Sequence, residues 1–151
     1  MDMTTEQLTK ELNAEEETIE ILISGRYGGG FGMSDAALAI YNKLMRNTTP
    51  NGQEYESAEI GYDVKCRHNP VLVKIFKVLE KSFNSWHSNV CIRKINKKYI
   101  NFYTISDYDG REQVVINYDA YKLHQIMQIT ESGITDADKI AAIIKIIKII
   151  K

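Results

Sequence analysis

The sequence predicts an α+β fold: a mixed, mainly antiparallel sheet of about five strands, helices packed mostly on one face, and an amphipathic C-terminal helix. Three observations lead there. Short β-branched segments alternate in hydropathy, other segments repeat their apolar residues at helical spacing, and turn signals cluster in the second half of the chain.

In chain order, Thr4 or Thr5 caps a short helix carrying Leu8 and Leu12, on an acidic arm over residues 1–17. Residues 18–24 form a strand with Ile19, Ile21 and Ile23 on one face. Gly25 to Gly32 is too rich in glycine for a helix or central strand, so it is a loop. Ser34 or Asp35 then caps a helix through Ala37, Leu38, Tyr41, Leu44 and Met45. A polar loop with an Asn51-Gly52 turn leads to a strand over 58–66, where Ala58, Ile60, Tyr62, Val64 and Cys66 alternate. Asn69-Pro70 suits an N-cap and first helical position, and Leu72, Ile75, Phe76, Leu79 and Phe83 make the clearest apolar stripe of the chain.

Val90–Ile95 and Tyr99–Ile105 read as a hairpin across Asn96-Lys97-Lys98. Asp109-Gly110 turns the chain into a strand over 113–118, and Asp119 caps a helix that Gly133 stops. The organisation expected is a single α+β domain over 18–133, followed by an Ile/Lys-rich helix over 134–151. That helix carries a wide apolar face (Ile140, Ile143, Ile144, Ile147, Ile150). It must be covered by its own domain, by a partner subunit or by a membrane surface; the last needs more flanking charge than is present, and a homo-oligomer through this helix is a candidate assembly.

Composition narrows the class. Among 151 residues 44% are hydrophobic and 26% charged, enough to close one core, which excludes collagen, coiled-coil and disulfide-scaffold proteins. Two cysteines point to a reducing compartment, the acidic start has no apolar leader pattern, and no apolar run approaches the roughly 20 residues of a membrane span. The net charge of −1 conceals a segregation: residues 64–98 hold nine bases and one acid, whereas residues 1–20 hold seven acids and one base.

The strand, glycine loop and capped helix together are a geometry that aims backbone N–H groups at an anion. The candidate ligand-binding residues are Arg26, Gly28, Gly29, Gly30, Gly32 and Ser34, with Arg67 from the breaker after the second strand. The spacing is neither a Walker A loop nor a dinucleotide fingerprint. The alternative site is the basic segment, where Arg93, Lys94, Lys97, Lys98 and Tyr99 interleave charge with an aromatic ring as single-stranded nucleic acid requires. Cys66, His68, His87 and Cys91 are zinc-type ligands, but one intervening residue in the first pair is tight for a single ion, so neither metal nor cofactor is assigned. No nucleophile elbow, zinc-protease helix or kinase signature is present, so no catalytic residue is assigned and binding is expected rather than catalysis.

Three blocks carry a resemblance. Arg26-Tyr27-Gly28 through Phe31-Gly32, with Ser34, Ala37 and Tyr41, resembles the YGGFG-x-S loop–helix opening of an uncharacterised family of short phage and large-DNA-virus proteins. Arg67-x-x-Pro70-Val71-Leu72-Val73 and Asp107-Tyr108-Asp109-Gly110-x-Glu112 resemble its second and third blocks. This loop has an extra glycine, and His68-Asn69 replaces an expected acid before the proline. The resemblance implies one compact α+β domain and a viral accessory or structural protein, in the host cytoplasm or the virion, with host or viral proteins as partners. It implies no activity. A self-assembling virion component is the further alternative.

Overall fold

The computed structural model describes residues 17–46 and 53–149. Strand β1 (Thr18–Ser24) is the element about which the layers are arranged, and it pairs antiparallel with β2 (Val90–Asn96), Thr18 opposite Asn96 and Ser24 opposite Val90. The two-residue period of a strand sends alternate side chains to opposite faces. Leu22, with Val90 and Ile92, therefore faces helices α1 (Asp35–Met45), α2 (Ser57–Tyr62), α3 (Val64–Arg67) and α4 (Pro70–Leu79), in a core shared with Ala37, Tyr41, Ile60, Leu72 and Phe83. Ile21 and Ile23, with Cys91 and Ile95, face the opposite way onto a second hairpin, β3 (Tyr103–Tyr108) and β4 (Arg111–Ile116), where Tyr103, Ile105, Val114 and Ile116 meet them. The result is a stack of helices, ribbon and hairpin, with the β1–β2 ribbon covered on both faces.

The helix caps follow the sequence where a side chain has one local partner. Ser34 accepts from the Ala37 amide at the start of α1, and Asn69 accepts from the Val71 amide with Pro70 at the first position of α4. Beyond α4, residues 80–83 continue as a 3-10 turn that brings Phe83 into the core.

Several expectations are corrected. There is no single five-stranded sheet: the described residues form two separate two-stranded antiparallel sheets and six α-helices. The strand expected over 58–66 is helical. Glu56 and Glu59 form a reciprocal capping box for α2, and the Asp63 side chain accepts from the Lys65 amide to start α3. These local bonds outweigh the alternation, which also fails in space, since Ile60 is buried but Tyr62 is 88% exposed. The hairpin expected between 90–95 and 99–105 is absent too. Asn96 caps a 3-10 turn over Lys97–Tyr99 that leads β2 away, so β2 returns to β1 and β3 pairs instead with β4. The C-terminal part holds α5 (Tyr118–Thr130), capped by Asn117 rather than Asp119, and α6 (Asp136–Ile149). Tyr99 and Phe102 stack edge-on against Tyr121 and tie α5 to the body. The arm helix with Leu8 and Leu12 and the Asn51-Gly52 turn lie outside the described residues.

The breaker at 67–69 places His68 against the second core, where its Nδ1 meets the Tyr103 hydroxyl, and that hydroxyl also donates to the Val64 carbonyl at 3.2 Å. Burial lowers the basicity of His68, with Asp63 opposing the effect and Lys65 reinforcing it, and burial pushes the Tyr103 phenol up to about 12. A histidine less basic folded than unfolded binds fewer protons in the native state, so its contribution is intact above about pH 6.5 and is lost as pH falls below that. We expect urea midpoints to drop between pH 7.5 and 5.5, and to drop less in His68→Gln. Equal slopes for the two proteins remove His68 as the cause.

Candidate functional site

The hydrogen-bonding groups of β1 that face β2 belong to its odd-numbered residues, a pattern continued at the ends by the Gly25 amide to Asn89 and the Lys97 amide to Glu17. The even-numbered residues present an outer edge with no strand beside it. Two side chains close that edge. Arg67, at the end of α3, donates from Nη1 to the Leu22 carbonyl at 3.0 Å, and Glu112 of β4 accepts from the Ser24 amide at 2.7 Å. The two side chains also pair bidentately, Nη1 to Oε2 at 2.9 Å and Nη2 to Oε1 at 2.8 Å. Nε and Nη2 both donate to the Gly61 carbonyl, and the guanidinium lies 3.7 Å from the centre of the Phe31 ring. All five guanidinium N–H groups are thereby engaged. Arg67 and Glu112 are only 3% and 7% exposed, the condition under which such a pair strongly resists loss of one member.

This arrangement relocates Arg67 relative to the sequence reading. It carries no remaining donor for an external anion and serves as the link between α3, β1 and β4. Ser34 is likewise engaged, donating to the Ser82 carbonyl while it caps α1. Arg26 is exposed on the loop.

The loop amides have a partner within the chain. Gly28 donates to the Asp109 carbonyl at 2.5 Å, and the nitrogens of Gly28, Gly29 and Gly30 lie 3.2, 2.9 and 2.8 Å from the point where a side chain on Gly110 would begin. The tip of the β3–β4 hairpin thus sits where a bound anion would sit, and Gly110 fits there because it has no Cβ and adopts φ +82°. Gly29 packs on the His87 carbonyl, and Gly32 is buried against Ser85 and Ser88. The three blocks of the family resemblance therefore meet in space: Phe31 on Arg67, Arg67 on Glu112, and Gly110 on the loop.

Two clefts flank this junction. One, of about 360 Å³, has Phe31, Tyr62, Asp107 and the Arg67–Glu112 pair in its walls. Because Arg67 is saturated, its polar lining offers acceptors. The other, of about 350 Å³, runs between β2 and β4 and is lined by Gly25, Arg93, Lys94, Arg111, Glu112 and Gln113. The carboxylate here is Glu112, already paired to Arg67. Among the described residues, Arg93, Lys94 and Arg111 make no ion pair. Arg111 donates to the Tyr27 hydroxyl and lies over the Tyr27 ring at 5.1 Å, and exposed Tyr108 meets Tyr27 edge-on.

Of the five residues named for nucleic acid, the structure brings Arg93 and Lys94 together at this cleft and disperses the rest. Lys97 pairs with Glu17 at 3.4 Å, Lys98 lies over Tyr99, and Tyr99 is half-buried among Tyr118 and Tyr121. Sequence reasoning missed Arg111 as a cleft residue, and Tyr27 and Tyr108 as the aromatic group beside it, since only the hairpin's docking brings Arg111 to β2. No group of three or more histidine, cysteine or acidic side chains among the described residues could hold a metal ion. Cys66 is buried beside the Tyr41 hydroxyl, and burial raises its thiol pKa, as expected of a small core residue rather than a nucleophile. No protein-family model, curated protein or solved structure matches this chain.

Removing one member of the buried pair leaves the other charged and unmatched, at a cost of about 3–5 kcal/mol. Glu112→Gln should fall in that range by urea unfolding. An ordinary buried ion pair tolerates replacement by two apolar residues. Here Arg67→Met with Glu112→Leu also strands the Leu22 carbonyl and Ser24 amide, so the double variant should stay about 2 kcal/mol or more below wild type. Full recovery would show that the edge needs no side-chain partner. Gly110→Ala, forced into positive φ against three amides, should lose about 1–3 kcal/mol, and an unchanged unfolding midpoint would contradict the seating of the hairpin tip.

Proposed function

We propose that this protein acts by binding rather than by catalysis, as a viral accessory or structural component, and that its ligand is single-stranded nucleic acid held at the β2–β4 cleft. The observation that carries this reading is the charge of that cleft. Arg93, Lys94 and Arg111 line it, while Glu112 is already neutralised by Arg67. Phosphate groups take the place of missing counter-charges, and the exposed rings of Tyr27 and Tyr108 offer stacking surfaces beside Arg111. Arg26, exposed on the adjoining loop, extends the basic rim. The role given earlier to the loop amides passes to these cations, because the hairpin tip sits on the amides. The viral setting is supported by the three resembling blocks, which meet at the Arg67–Glu112 pair, whose Glu112 is shared with this cleft.

Fluorescence anisotropy with a labelled single-stranded oligonucleotide tests it. Three phosphate contacts give a salt slope of about −2 for a single strand. Arg93→Ala and Arg111→Ala should each lower affinity and reduce that slope by about 0.7, whereas Lys97→Ala, outside the cleft, should change it little. Absent binding, salt-insensitive binding, or a Lys97→Ala loss equal to the other two overturns the cleft as the site.

A further inference from the structure

Helices α1 and α4 leave a groove of about 460 Å³ between them. Its walls include Ile40 and Leu44 on α1 and Val71, Ile75 and Val78 on α4, and Lys74 is the only charged residue lining it among the described residues. Ile40, Leu44 and Val78 are 39%, 59% and 69% exposed, so the described residues leave this apolar lining uncovered. A second depression, of about 260 Å³, lies on the other flank of α4, where Thr18 and Glu20 of β1 meet Val73 and Lys77. Pro70 and Lys74 line both. The path from Thr18, where β1 begins, to the apolar groove therefore crosses α4 at Pro70 and Lys74.

We infer that the acidic arm of this same chain, residues 1–16, covers the groove by seating Leu8 and Leu12 between α1 and α4. The first reason is reach. Six residues separate Leu12 from Thr18, up to about 20 Å of extended chain, against about 10–12 Å for the width of the helix to be crossed. The second is shape: in the helix that the sequence predicts for the arm, Leu8 and Leu12 stand one turn apart on one side, as an apolar groove between two helices requires. The third is charge. Residues 1–16 hold five acids and one base. Lys77 is paired with Glu20 at 2.6 Å, whereas Lys74, at the crossing, makes no ion pair among the described residues. The other undescribed stretch beside α1, residues 47–52 (NTTPNG), brings no side chain of leucine size. It returns at Tyr55, whose amide and carbonyl both bond to the Asn42 side chain, about 160° round α1 from Ile40 and Leu44. A second copy would offer the same arm only at its solution concentration, whereas the tether holds the chain's own arm at an effective concentration in the millimolar range. The inference is independent of nucleic-acid binding, since the groove and the β2–β4 cleft share no residue.

Trypsin cleavage after Lys10 in the full chain provides the test, because cutting within a segment that docks and undocks rapidly tracks its undocked population. In the wild type this bond should be cut about tenfold more slowly than in a free peptide of residues 1–16. Leu44→Glu and, separately, Val78→Glu place a carboxylate at an exposed position of either wall. Both should be cut at the peptide's rate while their far-ultraviolet circular dichroism stays unchanged. Lys74→Glu should be cut faster than the wild type. A wild type cut at the peptide's rate, or protection that both wall variants retain, overturns the inference, the latter by placing the arm elsewhere on the molecule. So does a Lys74→Glu rate equal to the wild type's. Protection that rises with protein concentration also overturns it, by assigning the groove to the arm of a second copy.

Discussion

The outer edge of β1 is the constraint on which the architecture turns. A strand with one paired edge leaves a row of amides and carbonyls that must find partners once buried. Here no third strand supplies them. A guanidinium and a carboxylate do so together, each satisfying one backbone group and one another, in the role of a strand two residues long. The sheet stops at two strands on this side, and the β3–β4 hairpin is free to pack across the ribbon's face instead of extending its edge. The same pair fixes α3 relative to β4 and provides the plane on which Phe31 rests.

That arrangement also decides which chemistry the surface can offer. A buried arginine with every donor engaged contributes nothing to an incoming anion, but it cancels the acid that would otherwise weaken the neighbouring cations. The basic character of the β2–β4 cleft thus depends on a residue whose own charge is out of reach. The glycine loop shows a related economy: the Gly28 amide donates to the Asp109 carbonyl of the chain itself, and the Gly29 and Gly30 nitrogens lie against Gly110 at the hairpin tip.

Elements defined by nearby residues were legible in the sequence. The alternation of Ile19, Ile21 and Ile23, the caps at Ser34 and Asn69, and the apolar stripe through Leu72, Ile75 and Phe83 depend on neighbours within about one or two helical turns. The α+β class and the turn at Asp109-Gly110 were legible for the same reason. Residues 58–66 misled because Ala58, Ile60 and Tyr62 satisfy the strand period by chance, while Glu56, Glu59 and Asp63 hold the decisive bonds. Strand partnership was illegible, since nothing local says whether Val90–Asn96 returns to a strand some 70 residues earlier or to the next one. The site suffered most. Arg67 looked like an available cation, and its partner stands 45 positions away. Arg93 and Lys94 were visible, but Arg111 joins them only once the hairpin has docked.

The seating of Gly110 on the loop also has a kinetic meaning. Residues 28–30 and 109–110 are separated by helices α1 to α4 and strands β2 and β3, so their contact closes one of the longest loops in the chain and supplies no early local gain. The glycine segment is therefore expected to order late, after the ribbon and its helices have formed, and to open first when the hairpin lifts. Its amides would then exchange with solvent through a partial excursion of the native protein, ahead of global unfolding.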